Sequence, residues 1–432
     1  MRPVLIVGGG LTGLVTAHHL RRAHVPAVVL ERGREPGGAC RSLERAGYVF
    51  DFTAHLFHVA RPDTERYLVE LGIWPGLVAH ARRASVMVGG QATPYPIQIH
   101  THGLAPEVRR DCLLGFIRAW AGAPADTSQH FSEWVLGRFG EGFARHFFFP
   151  YNRKLFRAEP EELTVDWMGR YVPRPELEEV VDGAFGLHDA AVGYNATFRY
   201  PRSGGIRMLP DAVAGQVEEL RLGQQVTGIH LGERWLELAG GERLGFAELV
   251  CTQPLPALVD MVLDHRPEEV AAARQSLRWV RVVNLALGVR GPAPRSEHWI
   301  YFPAPELPFY RVGFPSNHGQ MAPPGCHTVS VELSLDPGQG DVERAAAEAE
   351  QALCGLGMLE ASQVEVRLVS VLDPAYVVYD HARDRAVSQL RSFLAGHGVV
   401  VSGRWAEWKY SAMEDAIFDG MAAAKRCQAQ RS

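Results

Sequence analysis

Glycines stand at positions 8, 10 and 13, directly after the apolar run Val4–Val7 and directly before the helix-forming stretch Leu14–Ala23. This is Gly-x-Gly-x-x-Gly in the context that gives it meaning: a strand, a tight turn, and a helix N-terminus that can face a pyrophosphate. Gly8 permits the turn, Gly10 lets the backbone approach phosphate, and Gly13 lets the helix pack closely on the strand. Thr12 belongs to the same phosphate-facing turn. The second strand, Ala27–Leu30, ends in Glu31, about twenty residues on, where a carboxylate can accept from ribose hydroxyls. Gly37-Gly38-Ala39-Cys40-Arg41-Ser42 follows, pairing small residues that allow close approach with a guanidinium suited to phosphate. Near the other end, Ser402-Gly403-Arg404 follows the apolar run Gly398–Val401, and Met413-Glu414-Asp415 opens a helix of small residues. The glycine turn with its two strands predicts a bound dinucleotide.

Other residues could bind or turn over a substrate. His55 and His58 form a His-x-x-His pair. It could be half a metal site, but no cysteine or carboxylate cluster accompanies it, so no metal is expected. The remaining readings are a histidine at the cofactor face, His58 before His55, or a satisfied structural histidine. Arg170 and Arg311 have the fork geometry for a diphosphate, and Tyr376 and Tyr410 could add hydroxyl donors. Tyr95 can stack on a flat base while Gln98 reads an edge that needs both donor and acceptor. Asn152 and Asn195 suit ribose or sugar hydroxyls. Singly, each arginine also reads as a surface ion-pair residue and each tyrosine as core.

The elements that must position these residues follow from periodicity. Apolar spacing of three and four predicts helices over Thr64–Leu71, Val108–Trp120 and Phe131–Phe143, and an amphipathic helix over Asp211–Leu222. Val86–Val88 and Ala92–Ile97 flank Gly89-Gly90 as a short hairpin. Val226–Leu231, Trp235–Leu238 and Leu249–Cys251 read as strands, and Val282–Val289, Val329–Leu335 and Val364–Val371 as a second sheet. Val342–Leu356 is an alanine-rich helix. The fold class is therefore α/β, a Rossmann-type dinucleotide domain interrupted by a helical lobe and a mostly antiparallel sheet lobe. The boundaries are 1–61, 191–275 and 386–432 for the dinucleotide domain, 62–190 for the helices and 276–385 for the sheet.

With 432 residues, 47% hydrophobic and 22% charged, the chain has the make-up of a globular protein of more than one lobe. A net charge of −5 gives no reason to expect nucleic acid. Six cysteines without Cys-x-x-Cys spacing read as reduced thiols, which points to the cytoplasm. Strand one begins at the N-terminus, so no cleaved leader is expected, and no apolar stretch is long enough for a membrane span.

The carboxylate-ended second strand followed by Gly-Gly-x-x-Arg-Ser resembles the extended fingerprint of the amine-oxidase-like flavoproteins, which implies that the dinucleotide is FAD. Further segments together resemble the UDP-galactopyranose mutase family of that group. They are Asp51–His58, Pro94-Tyr95-Pro96-Ile97-Gln98, Phe149–Phe156, Trp167–Arg170, Asn195–Pro201, Ser203–Ile206, Tyr310-Arg311-Val312, Ala375-Tyr376 and Gly403–Tyr410. The resemblance implies a flavin-dependent isomerase of cell-surface polysaccharide biosynthesis that interconverts pyranose and furanose forms of a UDP-linked sugar. Reduced FAD would act through covalent catalysis at N5, with no net redox, after reduction by NAD(P)H or a reductase; an oligomer is compatible. It assigns Gly8, Gly10, Thr12, Gly13, Glu31, Gly38, Arg41, Ser42, Val226, Gly403, Arg404, Met413, Glu414 and Asp415 to FAD. Tyr95, Gln98, Asn152, Arg170, Asn195, Arg311, Tyr376 and Tyr410 fall to the substrate, and His58, His55 and Arg311 to catalysis. The sequence departs from the family where Thr53 and Ala54 replace glycines before the first histidine. The rival is an FAD-dependent oxidase or desaturase of the amine oxidase or protoporphyrinogen oxidase type.

Overall fold

The computed structural model describes residues 2–122, 128–169, 172–187 and 196–429. At its centre, Val4–Val7 lies between two parallel neighbours, Ala27–Glu31 and Glu248–Cys251. Leu220–Leu222 and Val399–Val401 complete a five-stranded parallel sheet at its two edges. Val4 and Ile6 pack on one face of the sheet, Leu5 and Val7 on the other. Burial on both faces explains why the strand is an unbroken apolar run instead of an alternating one. Helix Leu11–Arg22 leaves the end of that strand and packs along helix Met413–Ala429. The Thr16 hydroxyl donates to the Gly420 carbonyl (3.2 Å), fastening the chain's last helix to its first.

Asp211–Leu222 is not one helix. Its first part belongs to helix Met208–Ala214, which stops at Gly215, and its last three residues form the strand beside Val29–Glu31. The sheet edge offers ladder partners to Leu220–Leu222, and tertiary pairing overrides the helical period. The second sheet has seven strands in the order Val364–Val377, Trp279–Arg290, Cys326–Leu335, Arg311–Gly313, Trp299–Tyr301, Ala84–Val88 and Gln91–Pro94. All pairings are antiparallel except that of Trp299–Tyr301 with Ala84–Val88. The early hairpin thus extends the later sheet. Helices Pro106–Ala121, Phe131–Phe143, Phe149–Phe156 and Leu177–Phe185 follow the hairpin in the chain and share an apolar cluster with this sheet.

The apolar clusters of these lobes meet instead of merging. Trp167 touches both the parallel-sheet core and the helical core, and Tyr95 and Tyr301 touch the helical core and the cluster beside helix Leu11–Arg22. A cavity opens at that junction. Among the described residues no helix is long and apolar enough to cross a membrane, and all six cysteines are free.

Candidate active site at the junction of the sheets

The cavity, about 390 Å³, is lined on one side by the two chain ends that carry the glycine motifs: Gly10, Leu11, Thr12, Gly37 and Gly38, then Gly403, Arg404, Met413 and Ala416. Helix Leu11–Arg22 begins there at Gly10 with no side-chain cap, leaving its first amides directed at the cavity as an anion site. Gly38 adopts φ +60°, and a Cβ there would come within 3.1 Å of the Gly10 Cα. The cradle between the two turns exists because neither residue has a side chain. Uncapped amides and a glycine-walled groove fit the diphosphate of FAD.

Several residues assigned to the cofactor from sequence have partners within the protein. The Glu31 carboxylate accepts from Gly9 N and Gly33 N (2.7 Å each), which fixes it at the strand end. Arg41 Nε donates to the Gly38 carbonyl (2.7 Å) while its guanidinium lies over Phe52 (4.8 Å), so it shapes the glycine turn instead of facing the cavity. The Ser42 hydroxyl donates to Asp51 Oδ1 (2.7 Å) and accepts from Arg207 N (3.1 Å). Burial raises the Asp51 carboxyl to about 6, opposed by bonds from Tyr200, Ser42 and the Ile206 amide. Glu414 is fully buried, and its Oε1 accepts from Ala60 N, Arg61 N and Thr64 Oγ1 (2.9, 2.9 and 2.8 Å). It caps helix Pro62–Glu70, which follows the histidine segment, instead of touching a cofactor. Asp415 accepts from Ala412 N (2.8 Å) at the start of its own helix, and Val226 packs in the parallel-sheet core. Gly8 and Gly13 sit in the motif turn behind the cavity wall.

The histidine segment hangs over the antiparallel sheet. Phe52 O accepts from Asn284 Nδ2 (3.2 Å) and Ser370 Oγ (3.0 Å), and Ala54 N donates to Glu332 Oε1 (3.2 Å). His55 and His58 both line the cavity. His55 Nδ1 bonds Thr53 O (2.8 Å), which makes Nδ1 the donor and leaves Nε2 as acceptor. Burial takes this imidazole down to about 4, with Glu332 pulling up and Arg404 and Arg311 pushing down, so it is neutral at pH 7. His58 bonds the Thr197 carbonyl (3.1 Å). By the same reasoning Nε2 is the acceptor on His58 as well, so both histidines present an acceptor nitrogen at the cavity.

Arg311, Tyr376 and Tyr410 line the same cavity, the two rings beside Arg404. Arg311 is not a free cation. It faces Glu332 across two antiparallel strands, and its Nη2 and Nε reach Glu332 Oε2 at 2.6 and 3.0 Å. Tyr310 OH adds a third bond to that oxygen (2.8 Å). Tyr376 and Tyr410 stack with ring centres 6.0 Å apart, and the Arg404 guanidinium lies 4.9 Å from the Tyr410 ring and 5.4 Å from the Tyr376 ring. Arg404 Nη1 donates to Ser411 O (2.6 Å). Burial raises the Tyr376, Tyr310 and Tyr151 phenols, which stay protonated donors.

Asn152 also lines the cavity, with Nδ2 donating to Phe148 O (2.7 Å). Tyr95 lines it beneath Arg82, whose guanidinium is 4.9 Å from the ring. Gln98 does not: it is buried in the helical lobe, with Nε2 donating to Pro173 O (3.3 Å), because the turn Ile97–Ile99 points it away from Tyr95. Arg170 and Asn195 lie outside the described residues. Sequence reasoning missed Glu332, Tyr301 and the paired rings of Phe147 and Tyr151 (5.4 Å apart). Glu332 carried a usable signal, a carboxylate inside the apolar run Val329–Leu335 on the same strand face as Ser330 and Ser334. Among the described residues no group of three or more histidines, cysteines or carboxylates could hold a metal.

The pattern of the flavin-containing amine oxidoreductase family matches residues 11–428. The fold is similar to the crystal structure of reduced UDP-galactopyranose mutase, with a TM-score of 0.93 at 23% identity over 100% of this chain and 96% of that one. It is also similar to a redesigned putrescine oxidase (TM-score 0.67, 14% identity, 99% of each chain). A third likeness is to a fatty acid isomerase from P. acnes that produces CLA (TM-score 0.65, 12% identity, 98% of each chain). These likenesses establish the fold. In sequence, 179 residues are 25% identical to dTDP-fucopyranose mutase of Escherichia coli, a match over 39% of this chain and 46% of that protein, so it spans under half of the relative's length. The chain belongs to the flavin-containing amine oxidoreductase family, and its cofactor is FAD.

Proposed function

We propose that this member of the flavin-containing amine oxidoreductase family is a mutase that interconverts the pyranose and furanose forms of a nucleotide sugar, UDP-galactose or a close analogue. The observation that carries the proposal is that Arg311 and the stacked phenols of Tyr376 and Tyr410 share one cavity with the FAD cradle. A buried guanidinium with two phenol hydroxyls suits a diphosphate and offers little to an apolar amine. The likeness in fold to UDP-galactopyranose mutase and the partial match to dTDP-fucopyranose mutase support the same reading.

When bound and reduced, FAD supplies a nucleophilic N5 for the anomeric carbon. The chain's own residues do the rest. Arg311 and the hydroxyls of Tyr376 and Tyr410 hold the diphosphate and stabilise the charge that grows on it as the glycosidic bond breaks. His55 Nε2 accepts a hydrogen bond from a sugar hydroxyl, since its Nδ1 is committed to Thr53 O. Phe147 and Tyr151 give the base a flat wall, and Tyr95 lines the cavity near it. Trp299 and Tyr301 help keep water from the reacting centre. NAD(P)H or a reductase would supply the electrons.

The test is anaerobic. The FAD-loaded protein, reduced with dithionite, is incubated with UDP-galactopyranose and, separately, with dTDP-fucopyranose, and the sugar nucleotides are resolved by chromatography. Furanose product from either, formed only with reduced protein, supports the proposal and names the substrate. No ring interconversion, together with no response of flavin absorbance to UDP or dTDP, refutes it.

A further inference from the structure

Glu332 has no role in the reaction as drawn, yet it is among the most heavily bonded side chains at the site. It sits on strand Cys326–Leu335 and is 2% exposed. Its Oε2 accepts from Tyr310 OH, Arg311 Nε and Arg311 Nη2, while its Oε1 accepts from Ala54 N. The two oxygens therefore face different parts of the cavity: one holds the guanidinium proposed for the diphosphate, and the other holds the backbone one residue before His55.

This bridge arises from the register. Arg311 and Glu332 are directly opposed in adjacent antiparallel strands, so their pairing is fixed by the sheet. The histidine segment is anchored at both ends, by Phe52 O to Asn284 and Ser370 and by the backbone pair of Phe57 with Arg199, while Ala54 between them donates to Glu332. Beneath it lies a second cavity, about 30 Å³, bordered by Ala54, His55, Arg311 and Glu332. A small void therefore adjoins the segment on the side where Glu332 holds it. One carboxylate shared between a cation and an amide makes each bond depend on the other: an anion that draws Arg311 away leaves more of the charge for Ala54 N.

We propose that Glu332 is a positioning residue that ties Arg311 to the histidine segment, so that an anion seated on Arg311 is felt at Ala54 and His55. For the identity of that anion, a sugar-nucleotide diphosphate, it rests on the function proposed above; its geometry does not. Glu332 also competes with the ligand for Arg311, which holds back affinity in exchange for a guanidinium already oriented.

The experiment compares FAD-loaded wild type, Glu332→Gln and the double variant Arg311→Met/Glu332→Gln. The double variant replaces Arg311→Met alone, which would strand a buried carboxylate and could fail to fold. Amide deuterium uptake over residues 52–58 is followed by mass spectrometry, with strand Trp235–Leu238 as a remote control, and UDP and inorganic pyrophosphate are titrated by flavin absorbance. Glu332→Gln should speed uptake over 52–58 at least about fivefold, leave the control strand unchanged, and bind UDP at least about threefold more tightly. The double variant should keep the fast uptake and lose the tighter binding. Wild-type uptake over 52–58 in Glu332→Gln, or faster uptake that extends equally to the control strand, overturns the proposal, as does weaker UDP binding. If wild type responds to neither UDP nor pyrophosphate, the nucleotide-sugar reading fails, and the uptake comparison alone decides the role of Glu332.

Discussion

Replacing Gly38 by alanine should cost the protein its cofactor before it costs the fold. Gly38 holds φ +60°, and the new Cβ would lie 3.1 Å from the Gly10 Cα, with backbone on both sides and no flexible side chain to yield. Two terms follow. The left-handed conformation with a Cβ costs roughly 1–2 kcal/mol, but it is present with or without FAD and so cancels from binding. The contact does not cancel, because relieving it spreads the two turns that flank the diphosphate by a few tenths of an ångström. If that spreading removes one charge-assisted bond, worth about 1.5–3 kcal/mol, FAD affinity falls roughly 10- to 150-fold. Gly72 supplies the control, since it has φ +74° with nothing within 4 Å of its Cβ position. Gly72→Ala should lose a similar 1–2 kcal/mol or so of stability in urea melts and keep its FAD affinity. Affinity is read by titrating FAD into the apoprotein and following the quenching of flavin fluorescence. Wild-type affinity in Gly38→Ala, or equal loss in both variants, would refute the reasoning from the cradle.

Two further predictions concern residues lining the cavity. The folded His55 imidazole titrates at about 4 against 6.5 for an ordinary histidine. The unfolded chain therefore takes up this proton first as the pH falls. The stability His55 contributes by staying neutral is intact above about pH 6.5 and lost as the pH falls toward about 4, by at most roughly 3 kcal/mol. His55→Asn should lose correspondingly less than wild type between urea melts at about pH 7.5 and about pH 4.5, and equal losses would show that burial of His55 does not set the acid limb. Tyr376→Phe removes one protonated donor from the anion wall. It should lower kcat of the reduced enzyme roughly 10- to 100-fold with FAD content unchanged, and an unaltered kcat would take Tyr376 out of the charge-stabilising set.

The parts of the site that could be read from the sequence are those whose geometry is local. The phosphate turn is a strand end, three glycines and a helix start within a dozen residues, and those spacings dictate the chain path whatever surrounds them. The same holds for the turn at Gly37-Gly38 and for the C-terminal helix. What a side chain does there is less legible, because it depends on what comes near in space. Arg41 and Ser42 have the right types for phosphate, yet Gly38 O and Asp51 lie closer and take their hydrogens. Gln98 is three residues from Tyr95, a spacing compatible with one shared face only if the segment is helical from Tyr95 onward. The turn instead begins at Ile97, and the amide goes into the helical lobe.

The anion wall shows the limit more sharply, because its residues gain meaning only in pairs. Arg311 and Glu332 are opposed by a register that neither segment encodes alone, and a lone arginine carries no mark of the carboxylate that will neutralise it. Yet the run Val329-Ser330-Val331-Glu332-Leu333-Ser334 was informative. A strand buried on both faces has no solvent to receive a carboxylate, so a glutamate in its middle requires a partner of opposite charge at hydrogen-bond distance. Tyr310-Arg311 lies on a short neighbouring strand and supplies both a phenol and a guanidinium to that demand. Read in that direction, from the buried carboxylate outward, the sequence calls for a donor or cation beside Glu332; the sheet register makes it Arg311, for which any anion entering the cavity must compete.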